Sequence, residues 1–153
     1  MLIEEKICYK VVTDVNGMYL SHNITDYDIS NLRKPNHHIS TYPTVLRYFI
    51  NEETFPTIEG AKLFCFINLD DAVNYAREYW GHDKSVLECT CKGLSVYPYE
   101  RIPCIGCVSH SYLPLLWEKL SKGQFSDGVD VPEGTYLADS VTPVKKICTF
   151  YDE

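Results

Sequence analysis

The segment from Gly60 to Cys91 constrains the fold more than any other, because its hydrophobic period changes twice within one short stretch. Leu63 to Ile67 is an apolar run with aromatics, bounded by Gly60 and Asn68, as a buried strand requires. Asn68 suits a helix N-cap, since its side-chain oxygen can accept a free backbone N–H. Asp70 and Asp71 follow where the positive end of a helix dipole favours carboxylates. Leu69, Ala72, Val73, Ala76, Tyr79 and Trp80 recur at three- and four-residue spacing and make one face apolar; Asp70, Asp71, Asn74, Arg77 and Glu78 take the other. Gly81, His82 and Asp83 stop the helix. Val86 to Cys91 then alternates as a second core strand, with Leu87, Cys89 and Cys91 on the face expected to meet the helix. This strand–helix–strand unit is expected at the centre of the fold, and it carries no chemistry of its own.

The flanking segments fill in around it. Ile7 to Val12 and Met18 to Ser21 are apolar runs joined through Asn16-Gly17, a hairpin signal. On the first of these strands Tyr9 and Lys10 must point to opposite faces. Residues 22 to 44 have no period and read as a long loop, with a turn of helix around Tyr27 to Leu32. Val45 to Ile50 reads as a third strand, and Leu94 to Tyr99 as an extended edge segment containing Pro98. Arg101 to Ser111 reads as a loop. A second helix is expected over Leu113 to Lys122, with Pro114 in its first turn and Gly123 just past its end. A Gly/Asp-rich loop over 124 to 133 precedes two closing strands, Thr135 to Ala138 and Val141 to Phe150. The sum is one α+β domain over residues 1–153, with a mixed or mostly antiparallel sheet of about seven strands and two main helices.

The 153 residues suffice for one such core, burying about 68–70% of the unfolded surface. Fourteen Lys and Arg against 21 Asp and Glu give a net charge of −7 with no basic run, which argues against nucleic-acid binding driven by phosphate contacts. No apolar run reaches the ~20 residues of a membrane span, and the N-terminus lacks the pattern of a signal peptide. A cytoplasmic protein is expected, the host cytoplasm if the chain is viral. Seven cysteines at irregular spacing argue against a disulfide framework. Twelve tyrosines favour a binding surface, and Tyr9, Lys10, Tyr48 and Tyr75 are the candidate ligand contacts.

Among the chemistry-bearing residues, Cys89 and Cys91 with Cys104 and Cys107 could supply four thiolates to zinc, and His110 could replace one. Only half of the usual paired spacing is present, and buried free cysteine packs as a small hydrophobe, so structural cysteine is the stronger expectation. His37 and His38 are adjacent and point apart on an extended chain. Ser109-His-Ser111 lacks the surroundings of a hydrolase nucleophile, and no phosphate-binding glycine loop is present. No cofactor is expected.

Three stretches carry a resemblance: Tyr9 to Val12, the unit spanning Leu63 to Phe66, Asp71-Ala72 and Val86 to Cys89, and Gly134 to Val144. Together they resemble small uncharacterised accessory proteins of tailed phages and other large DNA viruses. That implies a viral accessory protein inside an infected cell, with no defined activity. The order of an early Tyr-Lys strand, a middle strand leading to an Asp-Ala helix and a late Gly-Thr strand is also similar to the plan of ADP-ribosyltransferase-like domains. There it implies Lys10 near the first catalytic position and Glu133 as the late acid, with Phe64-Cys-Phe66 where the family has Ser-Thr-Ser. The leading expectation is a non-enzymatic accessory protein that binds a host protein or a small nucleotide-like ligand. An NAD-using ADP-ribosyltransferase-like enzyme and a zinc-stabilised interaction module follow it. A homo-oligomer is compatible with each.

Overall fold

The computed structural model describes residues 5–15, 17–20, 46–56, 61–78, 83–102 and 129–151. The first strand, β1 (Lys6–Val15), lies in the middle of the sheet and turns back into β2 (Met18–Leu20), with Val15 opposite Met18. Gly17 adopts φ +85° in that turn and donates its N–H to the Asp14 carboxylate at 2.8 Å, as the Asn-Gly hairpin signal requires. The short β3 (Arg47–Tyr48) adds to β2.

The strand–helix–strand unit forms as β4 (Leu63–Phe66), α1 (Leu69–Glu78) and β5 (Lys84–Lys92). The Asn68 carbonyl accepts the N–H of Ala72 where the helix begins, but the Asn68 side-chain amide donates to Asp71 at 3.2 Å, in place of the expected bond from a backbone N–H to the side-chain oxygen. Ala72 and Ala76 are buried. The unit is split, however. β1 lies between β4 and β5 and runs antiparallel to both.

The rest of the chain completes the sheet. β6 (Ser95–Val96) pairs with β9 (Thr135–Ala138), β9 pairs with β4, and β10 (Ser140–Phe150) pairs with β5, giving the order β10-β5-β1-β4-β9-β6 in an eight-stranded sheet. β7 (Arg101–Ile102) and β8 (Val129–Asp130) make a separate two-stranded pair. Asp139 alone separates β9 from β10, yet these strands lie on opposite sides of β4, β1 and β5. The open sheet therefore curls strongly and meets itself at that corner. There the Asp139 N–H donates to the Lys92 carbonyl at 2.9 Å and its carboxylate pairs with Lys62 at 2.5 Å.

The expected architecture is corrected in two respects. The described residues hold ten strands and one helix, a sheet-dominated fold rather than seven strands beside two main helices. Four of the ten strands are two residues long, too short to show a period in the sequence. Of the mixed or mostly antiparallel sheet expected, the second form is found: every pairing among the described residues is antiparallel, because insertion of β1 removes the one parallel contact that the β4–α1–β5 crossover could have made. Second, Leu87, Cys89 and Cys91 turn away from the helix. Val86 packs against α1 with Val11 and Phe66, while Leu87, Cys89 and Cys91 join Cys8, Val12, Leu63 and Cys65 on the inner face. The second helix expected over Leu113 to Lys122 and the loop over 22 to 44 lie outside the described residues.

Gly93 and Gly17 both hold φ in the left-handed region, but only at Gly93 would an added Cβ land on a neighbour, the Asp139 side chain. Gly17→Ala should cost roughly 1 kcal/mol of backbone strain, and Gly93→Ala roughly 2–3 kcal/mol because the corner must also move. Urea unfolding of both variants checks this; equal losses would mean that the corner is soft.

Candidate functional site

The polar group that stands out on the inner face is Lys10. The alternation of β1 sends Tyr9 and Val11 to the helix side, and Cys8, Lys10 and Val12 inward. Lys10 is only 9% exposed. Its ammonium group donates to the Phe64 carbonyl at 2.5 Å and lies 5.6 Å from the centre of the Tyr48 ring. No carboxylate among the described residues pairs with it. Burial lowers its pKa from the usual lysine range, and the nearby Cys65, Cys8 and Cys89 only partly oppose that shift.

Three thiols, Cys65, Cys8 and Cys89, lie near this amine, and Cys91 adjoins Cys65. Cys8 and Cys89 are directly opposed on β1 and β5, and the Cys89 thiol also donates to the Leu87 carbonyl at 3.6 Å. Cys8 lies beside Cys65 and Cys89, and Cys65 beside Cys91. Cys65 and Cys91 meet although β1 runs between their strands, which only the curl of the sheet allows. The hydrogen bond to Cys8, then burial, pushes the Cys65 thiol up to about 12. Cys91 is raised chiefly by its bond to Cys65 and then by burial. At Cys8 the bond to Cys65 pulls down, but the bond to Cys89 and burial outweigh it. Burial also raises the Tyr48 hydroxyl. Cys8, Cys65, Cys91 and Tyr48 are thus held in their protonated forms at neutral pH, and burial disfavours the charged form of Lys10. The inner face sets one basic group among polarisable thiols.

Lys10 and Tyr48 are brought together as candidate ligand contacts. Tyr9 and Tyr75 are not: they pack on the helix side, where Tyr75 meets Phe66 with ring centres 5.3 Å apart. Glu133 is exposed in the turn before β9, where the adjacent Gly134 abuts Asp71 at the start of α1. No hydrogen bond or ion pair among the described residues joins it to Lys10. Of the four cysteines considered for zinc, Cys104 and Cys107 lie outside the described residues, and no three His, Cys, Asp or Glu side chains among the described residues are placed to hold a metal ion. Cys8 and Cys65 are members of the thiol group that the spacing of the sequence did not reveal. Their only signal is parity: Cys8 shares a face with Lys10, and Cys65 lies opposite Lys10, once β1 is known to sit beside β4.

No family model matches the chain, and no curated protein or solved structure matches it. No helix among the described residues is long and apolar enough to cross a membrane.

A base whose folded pKa lies below its unfolded value of 10.5 binds fewer protons folded than unfolded between those two values, so stability rises with pH across that window. Lys10→Met removes the buried amine and should leave stability at pH 7 within about 1 kcal/mol of the wild type or above it. The wild type should gain on the variant as pH rises toward 10.5. Urea midpoints of both proteins across pH check the sign. A loss of more than about 2 kcal/mol at every pH would make the bond to Phe64 a structural requirement.

Proposed function

We propose that this protein is a non-enzymatic accessory protein of the kind found in phages and large DNA viruses, and that it binds a small anionic, nucleotide-like ligand at Lys10. The observation that carries this reading is the buried amine with one backbone acceptor and no carboxylate partner among the described residues. An ammonium has three donors, and a phosphate or carboxylate would supply both the missing acceptors and the missing charge. Tyr48, beside it, offers a ring face and a hydroxyl. The likeness of the three quoted stretches to viral accessory proteins supports the accessory role.

Because the amine is driven toward neutrality before binding, an anion that restores its charge takes up a proton, and affinity rises as pH falls. Adenosine monophosphate at millimolar concentration should raise the melting temperature of the wild type, more at pH 6 than at pH 8, and leave Lys10→Met unmoved. Native mass spectrometry of the freshly purified protein should show a retained mass that is lost on denaturation. A bare chain mass together with no thermal shift from any nucleoside phosphate would overturn the reading. Nicotinamide released from NAD would overturn its non-enzymatic part.

A further inference from the structure

Cys8 and Cys89 share more than a place in the inner cluster. They face one another directly across the β1–β5 ladder, and both side chains are wholly buried on the inner side of the sheet. The end of that ladder fixes which kind of pair they form. The Asp14 N–H donates to the Asp83 carbonyl at 2.8 Å, and Thr13 stands opposite Lys84, so Asp14 and Asp83 are a hydrogen-bonded pair. Such pairs alternate with non-bonded ones along an antiparallel ladder, and this register runs without a shift from Thr13 down to Lys6 opposite Cys91. Val12 with Ser85, Lys10 with Leu87 and Cys8 with Cys89 are therefore hydrogen-bonded pairs as well.

That placement bears on what the two sulfurs can do. Opposed residues of a hydrogen-bonded pair have Cα atoms about 5.5 Å apart, inside the span of roughly 4.4–6.8 Å that a disulfide bridges. Their Cβ atoms lie at the upper end of about 4.5–5.5 Å, whereas a relaxed disulfide wants about 3.5–4.5 Å. A bond between them therefore forms only if the strands draw together by about an ångström. Both thiols are free. The other neighbours are less directly set. Cys65 lies opposite Lys10 rather than Cys8, since Tyr9 faces Phe66, and β1 runs between the strands of Cys65 and Cys91. The sulfurs meet in twos: among the described residues no three are placed to hold a metal ion.

We infer that Cys8 and Cys89 are a redox-sensitive dithiol, closed to a disulfide by hydrogen peroxide and reopened by a small thiol. One thiol takes an oxygen atom from the peroxide, becomes a sulfenic acid and releases a first water. The other thiol attacks that sulfur; the S–S bond forms, and the hydroxyl leaves with the second thiol's proton as a second water. Two electrons pass from the sulfurs to the broken O–O bond. Because the bond must hold the strands closer than the ladder sets them, it is strained, and strained disulfides are the ones readily reduced again. On reopening, two molecules of the small thiol supply two electrons and two protons and leave as their own disulfide. Burial holds the Cys8 proton on sulfur, so oxidation is slow at neutral pH and quickens as pH rises. No step uses the Lys10 amine, and the dithiol stands apart from the ligand proposed there.

The test treats the folded, fully reduced chain with millimolar hydrogen peroxide and blocks the remaining thiols with N-ethylmaleimide after set times. Unreduced proteolytic peptides are then mapped by mass spectrometry. A Cys8–Cys89 cross-link should accumulate, about tenfold faster at pH 8 than at pH 7, because the thiolate is the reacting form. Added glutathione should remove it. The same treatment in concentrated urea, where the ladder is lost, should give a mixture of pairings. Lys10→Met and Cys65→Ala should leave the Cys8–Cys89 pairing in place. The proposal is overturned if Cys8 and Cys89 are recovered unbridged, or if either is joined to Cys65 or Cys91 instead. It is overturned also if folded and unfolded chains give the same mixture, since the register would then select nothing. A cross-link that glutathione leaves intact would overturn the reopening step.

Discussion

The antiparallel pairing of β1 with β5 is the constraint on which the rest of the structure depends. Eight consecutive residue pairs, from Lys6 opposite Cys91 to Thr13 opposite Lys84, fix which side chains of both strands face the helix and which face inward. β1 is covered on both sides, by α1 through Tyr9 and Val11 and by the inner cluster through Cys8 and Val12. A slip of one residue would carry Lys10 beneath the helix, among Ala72, Ala76 and Phe66, where no carbonyl of β4 would receive it. The register thus sets both the packing and the position of the buried amine.

That amine and the thiols around it stand in an electrostatic compromise. A charged lysine would be costly to desolvate with a single backbone acceptor, and thiolates that could balance it are themselves disfavoured by burial and by one another. Burial therefore holds protons on the Cys8, Cys65 and Cys91 sulfurs and works against the charge on the Lys10 nitrogen. Any ligand bearing negative charge changes that balance at one group only, Lys10, which is why proton uptake should accompany its binding.

Parts of this architecture were legible in the sequence because they depend on local chemistry. The hairpin joining β1 to β2, the apolar stripe of α1 and the opposition of Tyr9 to Lys10 all follow from residue type and spacing, and each is found in place. What was not legible depends on which strands become neighbours. The alternation of Val86 to Cys91 shows that Leu87, Cys89 and Cys91 share a face, but not whether that face meets the helix. The answer came from β1 inserting between β4 and β5, a pairing between residues far apart in the chain. For the same reason Cys8 and Cys65 gave no sign of meeting the other thiols. The two-residue strands gave none because their pairing partners, and not their composition, make them strands.

One deformation links the inner face to the outer surface. To line the inner face with residues from both β4 and β5, the sheet must curl until β9 and β10, neighbours in sequence, lie on opposite sides of it. The corner at Asp139 provides part of that curl, with Gly93 yielding the space its carboxylate occupies. Bulges raise local twist, and the two in β10 bend this edge strand as it leaves the corner along β5. The same two bulges leave Val144 and Ile147 without partners opposite them on β5, so these aliphatic side chains stand exposed where the strand bends.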